Sequence, residues 1–301
     1  MSKNFSHVYD NYDKKELENK VIEIKNRLKL TKQFNSNLSL SRLFELLDGL
    51  QEFALGRFLI MNGGINGYWT DYVINFPREQ INSLSVVEKI ILNSYVMLAT
   101  YNRHQIFKKE NQKSVVDNAV LAAIPSGVMS ELLDLDFSAV KKCNIFAIDL
   151  DKNAHLDSKN KYSTLFDSLS IQQKIEDALL INYDEQFDLI SSNGLTIYIE
   201  DDEVVKKVFH NFYRALKPGA KLVTSYLTYP QIYDNKTEQA YLIDLDKLNY
   251  EIAIMVDILQ VKWSSYRTTE QMLLLLRDAG FRNIRIIPDD KNIFPTVVAF
   301  K

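Results

Sequence analysis

Gly127 and Asp149 stand 22 residues apart, and their types and spacing suggest a chemistry. A turn with little side-chain bulk lets a ligand approach the backbone N–H groups of a helix N-terminus. An acid at the end of the following strand can accept hydrogen bonds from both hydroxyls of a ribose. The residues around the pair supply both settings. Ala119 to Ile124 is an uncharged apolar run, as expected of a buried strand, and Pro125-Ser126-Gly127 is a turn signal. Val128, Leu132, Leu133 and Leu135 then suit a helix, and Ile145 to Ile148 is a second apolar run ending in Asp149. This is the layout of a nucleoside-binding βαβ unit. An ordinary strand-turn-helix with one glycine fits as well, because the decisive fingerprint has three glycines.

A second candidate is the stretch Gly63-Gly64-Ile65-Asn66-Gly67-Tyr68-Trp69-Thr70-Asp71-Tyr72. It reads either as a lid or substrate wall, with flat aromatic contact and polar tips at Asp71 or Tyr72, or as a helix-helix corner with aromatic packing. Arg103 and His104 could face the same cleft. Cys143 is the only cysteine, so no intramolecular disulfide or cysteine-based zinc site is expected. It reads as a structural thiol, and no metal site is expected.

The elements that must position these residues fall into two patterns. Residues 1–115 read as helical. Leu17, Val21, Ile24 and Leu28 form one stripe; Leu40, Leu43, Phe44, Leu47, Leu50, Ala54 and Phe58 form a second, up to Gly63-Gly64; Ser85 to Lys109 forms a third. From Val116 strands and helices alternate, which predicts an α/β domain over 116–301 built on a parallel sheet. Further strands are expected at Ile171 to Glu176, Phe187 to Ile190, Lys221 to Leu227, Phe281 to Ile287 and Thr296 to Phe300, the last two as a terminal hairpin. A helix is expected over 152–168 and another over Asp201 to Leu216, stopped by Lys217-Pro218-Gly219. Residues 228–262 read as an insertion, with Tyr226, Tyr229 and Tyr233 clustered near its start. Thr268 and Gln271 form a capping-box pattern before a leucine-rich helix.

Bulk composition removes several function classes. The chain has 301 residues and a net charge of −3, with no basic run, which argues against a nucleic-acid partner. No apolar run approaches the ~20 residues needed to span a membrane, and the N-terminus has no apolar signal core, so a cytoplasmic location is expected.

Five features stand in order: strand-loop-helix, IDLD, Asp177-Ala178, FDLISSNGL and ALKPGAKLV. Together they resemble the class I S-adenosylmethionine-dependent methyltransferases over about residues 115–301. Residues 60–112, through NGYWTDYV and TYNRHQIF, also resemble the helical N-terminal portion of a bacterial subgroup of that family. The resemblance implies a Rossmann-like fold, with a seven-stranded sheet, a terminal antiparallel hairpin strand and a helical N-terminal subdomain. It implies S-adenosylmethionine as cofactor and methyl transfer to a small or medium organic acceptor. A protein or peptide acceptor, or a non-catalytic binding module, is the alternative.

Carried over residue by residue, the resemblance puts Ala123, Pro125, Ser126 and Gly127 under the methionine part of the cofactor. It puts Asp149 on the ribose, Leu150 against the adenine, and Asp177 with the Ala178 N–H at the adenine edge. Ser192, Asn193 and Leu195 would border the sulfonium. Tyr68, Trp69, Tyr72, Arg103, Tyr198, Tyr226 and Tyr229 are candidates for the acceptor pocket. His104, Asp71 and Tyr72 are candidate bases, with Tyr198 and Glu200 beyond them. One departure stands out. The family loop is acid-x-Gly-x-Gly-x-Gly, and here Ala123-Ile124-Pro125-Ser126-Gly127-Val128-Met129 lacks the acid and two glycines. An expected partner for the cofactor's amino group is therefore missing, and Arg103, Asp71 or Glu131 could reshape the pocket.

Overall fold

The computed structural model describes residues 13–231, 236–239 and 244–301; Tyr233 lies outside them. In chain order the helices are α1 (Lys14–Leu30), α2 (Leu40–Leu50), α3 (Ala54–Asn62), α4 (Gly67–Asn75), α5 (Val86–Leu92) and α6 (Tyr95–Gln112). Strand β1 (Ala119–Ala123), helix α7 (Ser130–Leu133) and strand β2 (Cys143–Asp149) follow. Next come α8 (Lys152–Lys161), α9 (Ser163–Ser168), β3 (Ser170–Ile175), β4 (Phe187–Ser192), α10 (Asp202–Ala215) and β5 (Leu216–Ser225). The chain closes with α11 (Leu245–Ile252), α12 (Thr269–Asp278), β6 (Arg282–Ile287) and β7 (Thr296–Phe300).

Two compact units emerge, and their bounds differ from the expected 1–115 and 116–301. Among the described residues, one unit is 13–98 with 244–263, and the other is 99–231 and 236–239 with 264–301. Much of the expected 228–262 insertion thus folds with the N-terminal helices. The reason is polar as well as apolar. Asp257 accepts from the backbone N–H groups of Asn35 and Ser36 at 2.9 Å each, and Arg27 Nη1 donates to the Asp257 carbonyl at 2.8 Å. The Glu251 carboxylate accepts from Tyr95 N–H at 2.6 Å and Val96 N–H at 3.1 Å, which caps α6. That cap starts a new helix where the apolar stripe alone predicted one from Ser85 to Lys109. The second stripe likewise divides into α2 and α3. Within this unit Gly63, at φ 61°, ends α3, and the Asn66 side chain caps α4.

In the other unit the sheet order is β3-β2-β1-β4-β5-β7-β6. β1 through β5 pair in parallel, while β7 is antiparallel to both β5 and β6. Alternate strand residues enter two cores. Ala122, Ile124, Ile148 and Leu222 join Phe209, Phe212 and Met272 on one side. Leu121, Ala123, Ile145 and Val223 join Phe107, Leu132 and Leu133 on the other. Strands buried on both faces read as continuous apolar runs, which is why they were visible in the sequence. The Thr268–Gln271 capping box is present at the start of α12. Helix α7 is a single turn, shorter than the apolar positions 128–135 suggested, because Met129 takes a left-handed φ of 62° just before it.

Candidate active site

The order of strands reverses at β1, which lies between β2 and β4. Open α/β sheets bind ligands in the crevice outside the carboxyl ends of the strands at such a point. Here β1 runs into Pro125 through a cis peptide, then Ser126 and Gly127, the latter at φ 49°. The Ser126 N–H donates to the Ile148 carbonyl at 2.9 Å, tying the loop to β2. The Gly127 N–H donates to Asp149 Oδ2 at 2.8 Å, and the Asp151 N–H donates to Oδ1 at 3.0 Å. The pair singled out by spacing is therefore in direct contact. Each carboxylate oxygen of Asp149 keeps a further lone pair for a ribose hydroxyl. Burial raises the Asp149 carboxyl, while the two backbone donors oppose that shift.

At the adjoining end of β3, Glu176, Asp177, Leu180, Asn182 and Tyr183 line a cleft of about 380 Å³. Asp177 Oδ1 accepts from the Leu179 N–H at 2.9 Å. Leu150 is exposed and Ala178 buried.

The end of β4 is polar and buried. Ser192 Oγ and Asn193 Oδ1 have no hydrogen-bond partner among the described residues. The Arg103 guanidinium sits beside them: a Cβ on Gly194 would stand 3.9 Å from both Nη1 and Nη2. Its carbon lies 4.5 Å from the Phe294 ring centroid, in cation–π contact. Asp289 places that ring by accepting the Phe294 N–H at 2.6 Å in the β6–β7 connection. Arg103 is 4 % exposed, and its Nε and Nη1 have no hydrogen-bond partner among the described residues. Burial pulls it down to about 10, so it stays charged at neutral pH.

Glu131, in α7, is 6 % exposed and interacts electrostatically with Arg103. The Ser191 hydroxyl bonds its carboxylate, but Oε1 has no partner. Burial pushes it up to about 7. Asn111 Nδ2 donates to the Glu131 carbonyl at 3.2 Å and to Ser191 Oγ at 3.1 Å, fixing α7 against β4.

His104 is buried, with Nε2 3.8 Å from Asp134 Oδ2 and Nδ1 without a partner. Tyr162 holds the other Asp134 oxygen at 2.7 Å. Tyr198 and Leu195 are half-buried in the segment after β4. Tyr226 corrects the sequence reading: it is fully buried in the core, and its hydroxyl lies 2.6 Å from Thr269 Oγ1, so it offers no surface to an acceptor. Tyr229 packs against the Tyr266 ring, with centroids 5.6 Å apart.

Tyr68, Trp69, Asp71 and Tyr72 belong to the helical unit. There Trp69 is buried against Phe58, Tyr68 and Tyr72 at centroid distances of 5.8, 5.0 and 5.4 Å. Asp71 Oδ1 accepts from Asn75 Nδ2, and the Tyr72 hydroxyl donates to Glu88 at 3.1 Å. Burial and Glu88 raise the Tyr72 phenol strongly. Cys143 is buried and pushed up to about 11, which leaves its thiol protonated. Among the described residues no cluster of His, Cys, Asp or Glu could hold a metal ion, and no helix is long and apolar enough to cross a membrane.

A family model described as a methyltransferase domain matches residues 123–224, the span from the end of β1 to β5. That match spans about a third of the chain, and over it the chain is similar to methyltransferase domains. A methyltransferase domain is an enzyme module, and the group to test against this site is S-adenosylmethionine. The donor set fits that group: Asp149 offers acceptors of the kind a ribose needs, and the end of β4 offers unsatisfied polar atoms.

A solved structure from Bordetella parapertussis, described as a "possible exported protein", is 33% identical. The match covers 95% of this chain and 96% of that one, with a TM-score of 0.89. The S-adenosylmethionine-dependent methyltransferase SibL, solved in its apo form, shares the fold at 11% identity, 95% and 74% coverage and a TM-score of 0.52. Comparison with curated proteins gives no significant match.

Glu131, Asp289 and Phe294 are the site residues that sequence reasoning left without a place. Glu131 drew attention only as a group that could reshape the pocket. The signal for it was an acid inside an apolar helical stretch.

Proposed function

We propose that this protein is a class I S-adenosylmethionine-dependent methyltransferase that binds its cofactor across the carboxyl ends of β1, β2 and β4 and methylates a small or medium organic acceptor. The observation that carries the site is the Gly127 N–H contact to Asp149, which joins the loop and the acid singled out by spacing. Asp149 takes the ribose hydroxyls, and Leu150, Asp177 and Ala178 border the adenine. Ala123, Pro125, Ser126 and Gly127 underlie the methionine part, and Ser192, Asn193 and Leu195 flank the sulfur.

When bound, S-adenosylmethionine supplies a methyl group on a positively charged sulfur. The protein's own task is to align an acceptor with that methyl, exclude water and take up the acceptor's proton. Of the three candidate bases, His104 is the one we carry forward. Its Nδ1 has no partner and Asp134 stands beside its Nε2, whereas Tyr72 is held protonated and Asp71 accepts from Asn75. The acceptor class rests on the chain's slightly acidic balance, which disfavours nucleic acid. A cytoplasmic location and a bacterial origin complete the proposal. The first is supported by a buried free thiol, and the second by the Bordetella relative. Export is the alternative.

Calorimetry with S-adenosylhomocysteine tests the site. Asp149→Ala should weaken binding by about 100-fold, the loss expected when a charged acceptor of two hydroxyl bonds is removed. Unchanged affinity would remove Asp149 from the ribose. Radiolabelled methyl transfer into a fractionated extract tests the acceptor: label in the low-molecular-weight fraction supports the proposal, and label in protein moves the peptide reading ahead.

A further inference from the structure

Ser225, at the end of β5, and Thr296, at the start of β7, are register partners, so their side chains stand side by side on one face of the sheet. Val223 and Val298, two residues along each strand, mark that face as the one that packs with Phe107 of α6. Both hydroxyls are buried, and neither has a hydrogen-bond partner among the described residues. One turn before Phe107, α6 carries Arg103. Its Nε and Nη1 lack acceptors among the same residues, and its guanidinium packs on Phe294, two residues before Thr296.

The strand order says which half of the sheet this set belongs to. The guanidinium stands by the Gly194 turn after β4 and the Phe294 ring before β7, and β5 is the strand between those two. The Gly127–Asp149 contact lies at β1 and β2, on the other side of β4. The acids that act on Arg103 are engaged elsewhere. Asp289 accepts from the Lys291 N–H at 3.0 Å and the Phe294 N–H at 2.6 Å, and Glu131 is bonded by Ser191. Buried polar groups are nearly always satisfied, and an open buried cation is costly. A guanidinium only donates and a hydroxyl can donate, so an oxyanion satisfies the whole set. A cationic or purely apolar acceptor leaves it unmet.

We propose that Ser225, Thr296 and Arg103 form an acceptor subsite over β5 that anchors an oxyanion of a small-molecule acceptor, and that the methyl group goes to a different oxygen or nitrogen of that molecule. The proposal rests on the methyltransferase reading above. An oxyanion paired with a guanidinium is a poor nucleophile, which leaves the reaction to another atom. That atom takes the methyl as its O–H or N–H proton passes to a base, and the S–CH3 electron pair stays on sulfur. Two sources supply the anchor: a carboxylate and a phosphate monoester.

The test uses the full chain, radiolabelled S-adenosylmethionine and a low-molecular-weight extract divided on an anion-exchange resin. Label should enter the resin-bound fraction and survive mild base that cleaves methyl esters. Phosphatase treatment of the extract beforehand removes that label if the anchor is a phosphate and leaves it if the anchor is a carboxylate. Arg103→Met should lower transfer into the fraction about 100-fold, and Thr296→Val and Ser225→Ala about tenfold each. Arg103→Lys should restore part of the loss. The two hydroxyl variants remove groups that bond nothing in the described protein, so their stability in urea should not fall, and they carry the test whatever Arg103→Met does to folding. Calorimetry should show S-adenosylhomocysteine affinity unchanged in all four variants. Label confined to the unbound fraction, base-labile label, transfer unaltered in the variants, or cofactor affinity lost with Arg103→Met overturns the subsite and leaves the methyltransferase reading intact. Absence of S-adenosylhomocysteine binding, or of label from every fraction, overturns that reading and the subsite with it.

Discussion

Arg267 and Arg103 are both buried in the sheet unit, at 2 % and 4 % exposure, and their surroundings treat them in opposite ways. Arg267 Nε donates to Asp202 at 2.8 Å, Nη1 to the Thr196 carbonyl at 2.9 Å and Nη2 to the Ile199 carbonyl at 2.6 Å. It closes the segment between β4 and α10 with charge-assisted bonds. Arg103 has a ring against it and donors without acceptors. Arg267 is satisfied by the segment it closes, whereas Arg103 keeps donors without an acceptor among the described residues. The same contrast separates the two ends of the site. At the end of β2 Asp149 is held by two backbone donors, whereas at the end of β4 Ser192 Oγ and Asn193 Oδ1 have no partner among the described residues.

The largest effect should come from breaking the closed member. Arg267→Met orphans two backbone carbonyls and removes an ion pair, and should cost about 3–5 kcal/mol in urea denaturation. Arg103→Met should do the reverse without ligand. The depression of Arg103 from 12.5 to about 10 corresponds to roughly 3 kcal/mol of burial penalty, less about 1 kcal/mol for the lost cation–π contact. A net gain of about 1–3 kcal/mol is expected, and destabilisation comparable to that of Arg267→Met would erase the comparison.

Glu131 sharpens it through pH. Its carboxyl is raised in the folded protein, so the protonated form is favoured there. The stability it contributes is complete below about pH 4.5 and is lost as pH rises through about 7. Glu131→Gln removes that loss and should gain about 1–3 kcal/mol over wild type between pH 5 and 8. Arg103 and Asp134 are the charged groups that act on Glu131. Glu251, also pushed up to about 7, is common to both proteins and cancels in the difference. The smallest effect is expected from Thr268→Ala, which removes the capping box for about 1 kcal/mol and leaves ligand binding unchanged.

Legibility in the sequence followed the range of the interactions. Strands buried on both faces announced themselves as apolar runs, and the Gly127–Asp149 spacing marked a contact that the fold then makes. The break between α5 and α6 was invisible because its cap, Glu251, lies 156 residues from Tyr95. Tyr226 looked like a pocket residue in a tyrosine-rich stretch, but it continues β5 into the core and finds Thr269 there. Arg103, Glu131 and Phe294 meet through α6, α7 and the β6–β7 connection. No local pattern shows that their polar atoms lack partners, because that property belongs to the packed structure.

A crystal structure of the protein with S-adenosylhomocysteine is the most direct test. The account predicts the ribose on Asp149, the sulfur at the end of β4 near Ser192 and Asn193, and Arg267 with its protein partners unchanged. A nucleoside bound away from Asp149 and the end of β4 would contradict it.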